Sequence, residues 1–253
     1  MTIRFVPRRV TVMLATIVGC LIVANTLGLV SKYVFGHGRL LGLVPLFDLD
    51  REANVPTYFA SLMLLFCSAL LMLMGMLKTE RKDPLCRYWK ALGLVFLYLS
   101  VDEAATLHET LVVPVRMVLH TSGVLYFAWV IPYGIGLLVL LMVFLRFITR
   151  LPPKTRWLTV LAGLVYVGGA MGFELIAGYY VDRLGGRDVI YGFLATVEES
   201  LEMIGLVIFA YALMSHLESE SGLFQIHFAS QTRTAPLSPG SAQDAVQREA
   251  DAA

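Results

Sequence analysis

Six long apolar stretches separated by short polar connections run along the chain, at roughly 10–30, 57–77, 91–113, 124–145, 157–180 and 189–214. Each is close to the ~20 residues a helix needs to cross ~30 Å of hydrocarbon. The pattern predicts an all-α integral membrane protein, a six-transmembrane helix bundle occupying residues 1–217. From Glu218 the chain turns to Ser, Gln, Ala, Pro and Thr, with Pro236, Pro239 and Gly240 close together. Such a segment buries too little apolar area to offset the entropy of ordering, so 218–253 is expected to be a disordered cytoplasmic tail.

Composition agrees. Of 253 residues, 57% are hydrophobic and 15% charged, with a mean hydropathy of +0.72; a soluble domain carries about 25% charged residues. Water-soluble folds, nucleic-acid binding and disulfide scaffolds are excluded. Cys20, Cys67 and Cys86 form no CxxC pair and read as small buried hydrophobes, not as metal or redox groups.

Charge placement orients the bundle. Six spans put both ends on one side, and 14 of the 20 Lys and Arg fall in the N-terminal segment, in 78–90, in 146–156 and in the tail. The positive-inside rule then makes both termini cytoplasmic, N-in and C-in. Trp89 and Trp157 fall at the inner starts of spans three and five, and Tyr58, Tyr179, Tyr180 and Tyr191 near outer ends, as interfacial aromatics should. The first span follows Arg8-Arg9 and is read as an anchor, because cleaving it as a signal peptide would place the new N-terminus outside.

Seven of the 19 acids lie inside spans: Asp102, Glu103, Glu109, Glu174, Glu198, Glu199 and Glu202. No Lys or Arg does, and His108 is the one intramembrane histidine. Acids at such depths cost a few kcal/mol each. They must be protonated, hydrogen-bonded or matched by cations that are not side chains. At ~1.5 Å per residue, Asp102 and Glu103 fall ~12–13 Å below the outer surface, level with Glu198 and Glu199. Glu109 and Glu174 lie near the surface and Glu202 ~20 Å down. The expected feature is an acidic cleft open to the periplasmic side.

At 100° per residue, Glu198, Glu199 and Glu202 share one face of span six, and Asp102, Glu103, Thr106, Glu109 and Thr110 share one face of span three. His108 points about 120° away from Asp102 on a regular helix, so only a distorted helix would let it join the acids. Gly163, Gly168, Gly169, Gly172 and Gly178 make span five a close-packing helix that turns Glu174 toward a neighbour. In the first outer loop, Asp48, Asp50 and Glu52 imitate the start of a calcium loop, but its glycine and closing glutamate are missing. Asn54 is instead expected to cap span two, with Pro56 in its first turn.

The segments FDLDREANVPTYFAS (47–61), SVDEAATLHE (100–109) and VEESLEMIG (197–205) together resemble a family of uncharacterised bacterial multi-pass membrane proteins, over about Phe47 to Ser215. The resemblance implies that these three outer-half segments belong together, and it carries no activity. The expected location of the bundle is a bacterial inner (plasma) membrane. Membrane hydrolases of the alkaline ceramidase type need several intramembrane histidines, and this chain has one.

Three functions follow from the acids. A divalent metal ion held by Asp102, Glu103, His108, Glu109, Glu174, Glu198, Glu199 and Glu202 would make a metal-dependent enzyme acting on a lipid or quinone-like substrate. The chain has no Glu-x-x-His of the di-iron kind, and an oxygen-rich site favours Mg, Ca or Mn over Zn. The stepped acids would also suit a proton- or cation-coupled transporter, and the likeness of Ser100–Glu103 to Thr196–Glu199 on antiparallel spans would suit an inverted repeat. Acids that are mostly protonated and hydrogen-bonded would suit a non-catalytic accessory or sensor protein. The expected partners are the lipid bilayer and a small hydrophobic substrate, with no nucleic acid.

Overall fold

The computed structural model describes residues 2–4, 6–221 and 225–227. The described residues of the unit Phe5–Phe224 form helices and their connections. Its elements are α1 (Pro7–Tyr33), α2 (Leu43–Phe47), α3 (Val55–Glu80), α4 (Cys86–Ala105), α5 (Leu107–Thr110) and α6 (Val112–Leu119). They are followed by α7 (Val130–Arg150), α8 (Pro153–Val167), α9 (Glu174–Leu184) and α10 (Val189–Ser221), with a π-turn at Gly168–Phe173 joining α8 to α9. Five helices, α8 and α9 counting as one, are long and apolar enough to cross a membrane. A sixth is reached if α4 and its bent continuation form one span.

Helix α10 is the axis. It packs against α1, α3, α8, the π-turn and α9, while α3 pairs with α4. The most apolar stretch of α10 is 61% buried, against 11% for α7, whose Leu138, Met142 and Leu145 point outward. Leu64, Leu71 and Met74 of α3, Trp89 of α4, Phe147 of α7, and Met203 and Leu217 of α10 form a closed core. One end of the bundle carries the connections 34–54, 120–129 and 185–188 and is called here the loop end. At the opposite end Lys78 and Arg81 both reach Glu220, at 2.8 and 2.6 Å, and tie α3 to α10.

Two devices hold the axis. A Cβ on Gly205 would lie 2.8 Å from the Tyr166 main-chain nitrogen and one on Gly169 2.7 Å from the Glu198 carbonyl, so both contacts require glycine. Near the loop end, Asn25 is 2% exposed; its amide donates to Thr196 Oγ1 at 2.8 Å and its carbonyl accepts the Leu49 N–H at 3.0 Å. One side chain thus joins α1, α10 and the first loop. As expected, Asn54 caps α3, accepting the Thr57 N–H at 3.2 Å, with proline in the first turn.

Several expectations need correction. Trp89 is 2% exposed and stacks on His216, so it belongs to the core and is no interfacial anchor; Trp157, 70% exposed, fits that role. Of the span-five glycines, Gly169 and Gly178 make close contacts, whereas Gly163, Gly168 and Gly172 face open space. Cys67 is buried, but Cys20 is exposed on α1. Helix α10 runs to Ser221, which makes Glu218–Ser221 helical where a tail was expected. A second unit pairs Thr2–Arg4 antiparallel with Gln225–His227; the rest of the expected tail lies outside the described residues.

Gly205→Ala should destabilise the protein by about 1–3 kcal/mol, because the new methyl meets main chain that cannot turn aside. Gly163→Ala, in open space, should be neutral or slightly stabilising. Thermal melting of both variants in detergent is the measurement, and equal effects would refute the close-approach account.

Candidate functional site

The site begins at a helix break. Thr106 adopts the left-handed conformation (φ 52°) and the chain bends by 69° between α4 and α5. A threonine there costs about 1–2 kcal/mol, and a hydrogen bond to a charged group returns a comparable ~1.5–3 kcal/mol. That bond comes from Asp102, whose Oδ1 accepts the His108 N–H at 2.8 Å and so caps the second segment. The His108 ring Nδ1 lies 3.4 Å from Asp102 Oδ2. The bend is the distortion that a contact between His108 and Asp102 requires, since a regular helix would hold the two apart.

Asp102 is 5% exposed and has a further donor. The Tyr133 hydroxyl gives its proton to Oδ1 at 2.9 Å and is itself 2.8 Å from the Tyr98 hydroxyl, so Tyr98 donates to Tyr133. The His108 ring packs on Trp129 at 4.9 Å between centroids. Trp129 Nε1 donates to Glu174 Oε1 at 2.7 Å. Residues Trp129 and Tyr133, one turn apart at the start of α7, thus bind the acids of two other helices.

The remaining acids gather beside this pair. Glu174 and Glu198 lie against each other within hydrogen-bonding reach, and Glu202 does the same with Tyr166. Glu199 lies within electrostatic reach of Glu103, Glu198 and Glu202. Glu103 in turn feels Glu52, His108 and Asp102. Glu103, Glu174, Glu198, Glu199 and Glu202 are half-buried, while Glu109 is exposed within reach of Glu52 and Glu174. The eight side chains singled out in the sequence therefore share one region.

They do not share one point. Among the described residues no group of three or more His, Cys, Asp or Glu side chains is arranged to hold a metal ion. Donors explain this: Trp129, Tyr133 and Tyr166 each take a carboxyl oxygen that a cation would need.

The pattern that defines a domain of unknown function, DUF8692, matches residues 13–217. The chain belongs to the DUF8692 family. No curated protein and no solved structure matches it. The DUF8692 match takes in every helix of the site, from Asn25 on α1 to Glu202 on α10.

Sequence reading missed Asn25, Glu52, Tyr98, Trp129, Tyr133 and Tyr166 as parts of the DUF8692 site. The spacing of Trp129 and Tyr133 was a usable signal, since two aromatic donors at i and i+4 face one way. Glu52 sits above the acids in the first loop, where it accepts from Thr57 Oγ1 at 3.4 Å. Burial raises its pKa, and the nearby charge of Glu109 adds to the shift. Burial also raises Asp50, against the opposing pull of Arg187.

A carboxyl whose pKa is raised on folding holds its proton more tightly in the folded state. Its contribution to stability is present at low pH and is lost as pH rises from the ordinary glutamate range through the raised value. Glu52→Gln mimics the protonated acid, so it should flatten this part of the stability–pH profile and raise the neutral-pH Tm. Glu80→Gln, exposed at the other end, is the control. A lower neutral-pH Tm for Glu52→Gln would reverse the assignment.

Proposed function

We propose that this is a bacterial inner-membrane protein, with both termini cytoplasmic, whose carboxylate cleft opens to the periplasm and exchanges protons with a small ligand that enters from that side. The observation that carries this reading is the Asp102–His108 pair at the helix break, next to carboxyls with no Lys or Arg among them. Asp102 engages Nδ1, which fixes the ring's tautomer and leaves Nε2 as the exchanging nitrogen. The His108 side chain is 19% exposed, within reach of a ligand. Glu103 and Glu52, both within electrostatic reach of His108, would relay its protons. A metal-dependent enzyme has less support, since among the described residues no three such ligands converge.

One-sided access is supported by the core on the other side of the acids, where Leu64, Leu71, Met74, Trp89 and Met203 are packed with at most 2% exposure. Coupled transport is the second reading, favoured by the broken α4–α5 helix and the π-turn, both features of moving membrane helices.

Tryptophan fluorescence separates the two. A protonated imidazole quenches an indole in contact with it, and Trp129 touches His108. The Trp129 signal, taken as the difference between wild type and Trp129→Phe, should titrate with pH, lose that titration in His108→Gln, and be displaced in Asp102→Asn. In oriented proteoliposomes it should follow pH on the loop-end side alone. A response to pH on the opposite side would replace the one-sided reading with transport, and no titration at all would remove the proton-exchange role.

A further inference from the structure

At the loop end lies a cavity of about 480 Å³ that shares only Glu52 with the proton-exchange reading. Its size falls within the ~300–1,000 Å³ of small-molecule sites. Three basic and four acidic side chains line it, among them Lys32, Arg187, Glu52 and Glu109. Opposite charges sharing so small a space normally pair. Here they do not: ion pairs within 4 Å among the described residues involve only Lys78, Arg81, His108 and His216 as cations. Lys32 rests over the Tyr33 ring at 4.8 Å and Arg187 over Tyr191 at 5.1 Å, and both act on Asp50 only at longer range. The cavity brings basic and acidic side chains together without an ion pair between them within 4 Å, which suits a ligand that carries both charges.

The rim indicates where that ligand comes from. Gly38 and Pro45 line the cavity, and the turn between them exposes Leu40, Leu41 and Leu43, with Leu41 98% exposed. Leu40 and Leu41 have positive φ, 29° and 57°, an uncommon conformation for a bulky residue. The turn is strained and presents leucines outward, which water does not reward but a lipid surface does. Phe35, 66% exposed, continues the ridge. The cavity lies just beyond the end of α1 at Tyr33 and the start of α3 at Val55. In a six-span bundle that is the level of the lipid headgroups.

We propose that this cavity binds the headgroup of a zwitterionic phospholipid with a primary ammonium, its phosphate held by Lys32 and Arg187 and its ammonium by Glu52 and Glu109. Phosphate takes charge-assisted hydrogen bonds from guanidinium and lysine ammonium, and a primary ammonium has three N–H donors for carboxylates. A quaternary ammonium has none, so phosphatidylethanolamine should be preferred to phosphatidylcholine. The inference needs no proton exchange below.

The test uses the full-length protein in nanodiscs of phosphatidylcholine alone, or doped with phosphatidylethanolamine or phosphatidylglycerol. Lipid retained after release into detergent is counted by native mass spectrometry, and melting is followed alongside. Phosphatidylethanolamine should be retained in preference to the other two and should raise the Tm. Lys32→Gln and Arg187→Gln, as independent variants, should each lower its retention about tenfold, the loss of roughly one charge-assisted bond. Glu52→Gln should weaken the preference over phosphatidylcholine. Arg183→Gln, outside the cavity on the same end, should retain lipid like wild type. Equal retention of phosphatidylglycerol would reduce the site to an anion patch, and equal retention of phosphatidylcholine would remove the ammonium contact; either overturns the proposal. Equal protection by free phosphoethanolamine in detergent would overturn the lipid source in favour of a soluble ligand.

Discussion

A carboxylate taken out of water inside a helix bundle has to be given donors, and much of the loop end depends on how Asp102 gets its own. Leaving such a charge without partners costs far more than a single domain can spare. A straight α4 would offer none, because every main-chain N–H within it is already used. Breaking the helix at Thr106 frees the His108 N–H, and Tyr133 brings a hydroxyl from α7. The penalty at Thr106 is about 1–2 kcal/mol, which is small beside the cost avoided. The break also turns α5 and α6 away from the bundle axis and brings the His108 ring onto Trp129.

The two halves of the bundle then follow different rules. At the end away from the loops, aliphatic, aromatic and sulfur-containing side chains fill the space and polar groups are few; Thr155 pairs with His216 at 3.3 Å, while the buried Trp89 Nε1 has no hydrogen-bond partner among the described residues. At the loop end, carboxyls from α4, α9 and α10 meet hydroxyls and an indole from α7 and α8. Helix α10 belongs to both, with Glu198, Glu199 and Glu202 above and Met203, Leu206 and Leu213 below. Within two residues its sequence passes from acid to sealed core, so the floor of the cleft follows from the order of residues on one helix.

That division was legible in the sequence because it rests on two regular periodicities: apolar runs of spanning length, and acids repeating on one helical face. Convergence of the acids was legible for the same reason. The partnership of Asp102 with His108 was not, since wheel angles assume an unbroken helix and no glycine or proline marks Thr106 as a break. Trp89 misled for a related reason: its place at a span start fits an interfacial anchor, and only packing against Phe147 and His216 reveals a core residue. The glycines of span five were only partly readable. A close approach needs a partner surface, which Gly169 finds on α10 and Gly163 does not.

Strain follows the same division. Of the six described non-glycine residues with positive φ, Leu40, Leu41, Ala53, Thr106 and His120 are at the loop end and Lys82 alone is at the other. Such conformations cost of order 1–3 kcal/mol each and persist where surrounding contacts over-determine them. Asp102 does this for Thr106, and beside Ala53 the Asn54 amide donates to the Asp48 carbonyl at 2.6 Å. The turn of Leu40 and Leu41 is closed by the Gly42 N–H to the Arg39 carbonyl, at 2.7 Å, and by the Leu43 N–H to the Leu40 carbonyl. Both bonds are local to the turn, so the apolar surface that Leu40 and Leu41 expose is the further interaction available to offset their strain, and it ties the first loop to whatever surrounds the bundle at that level.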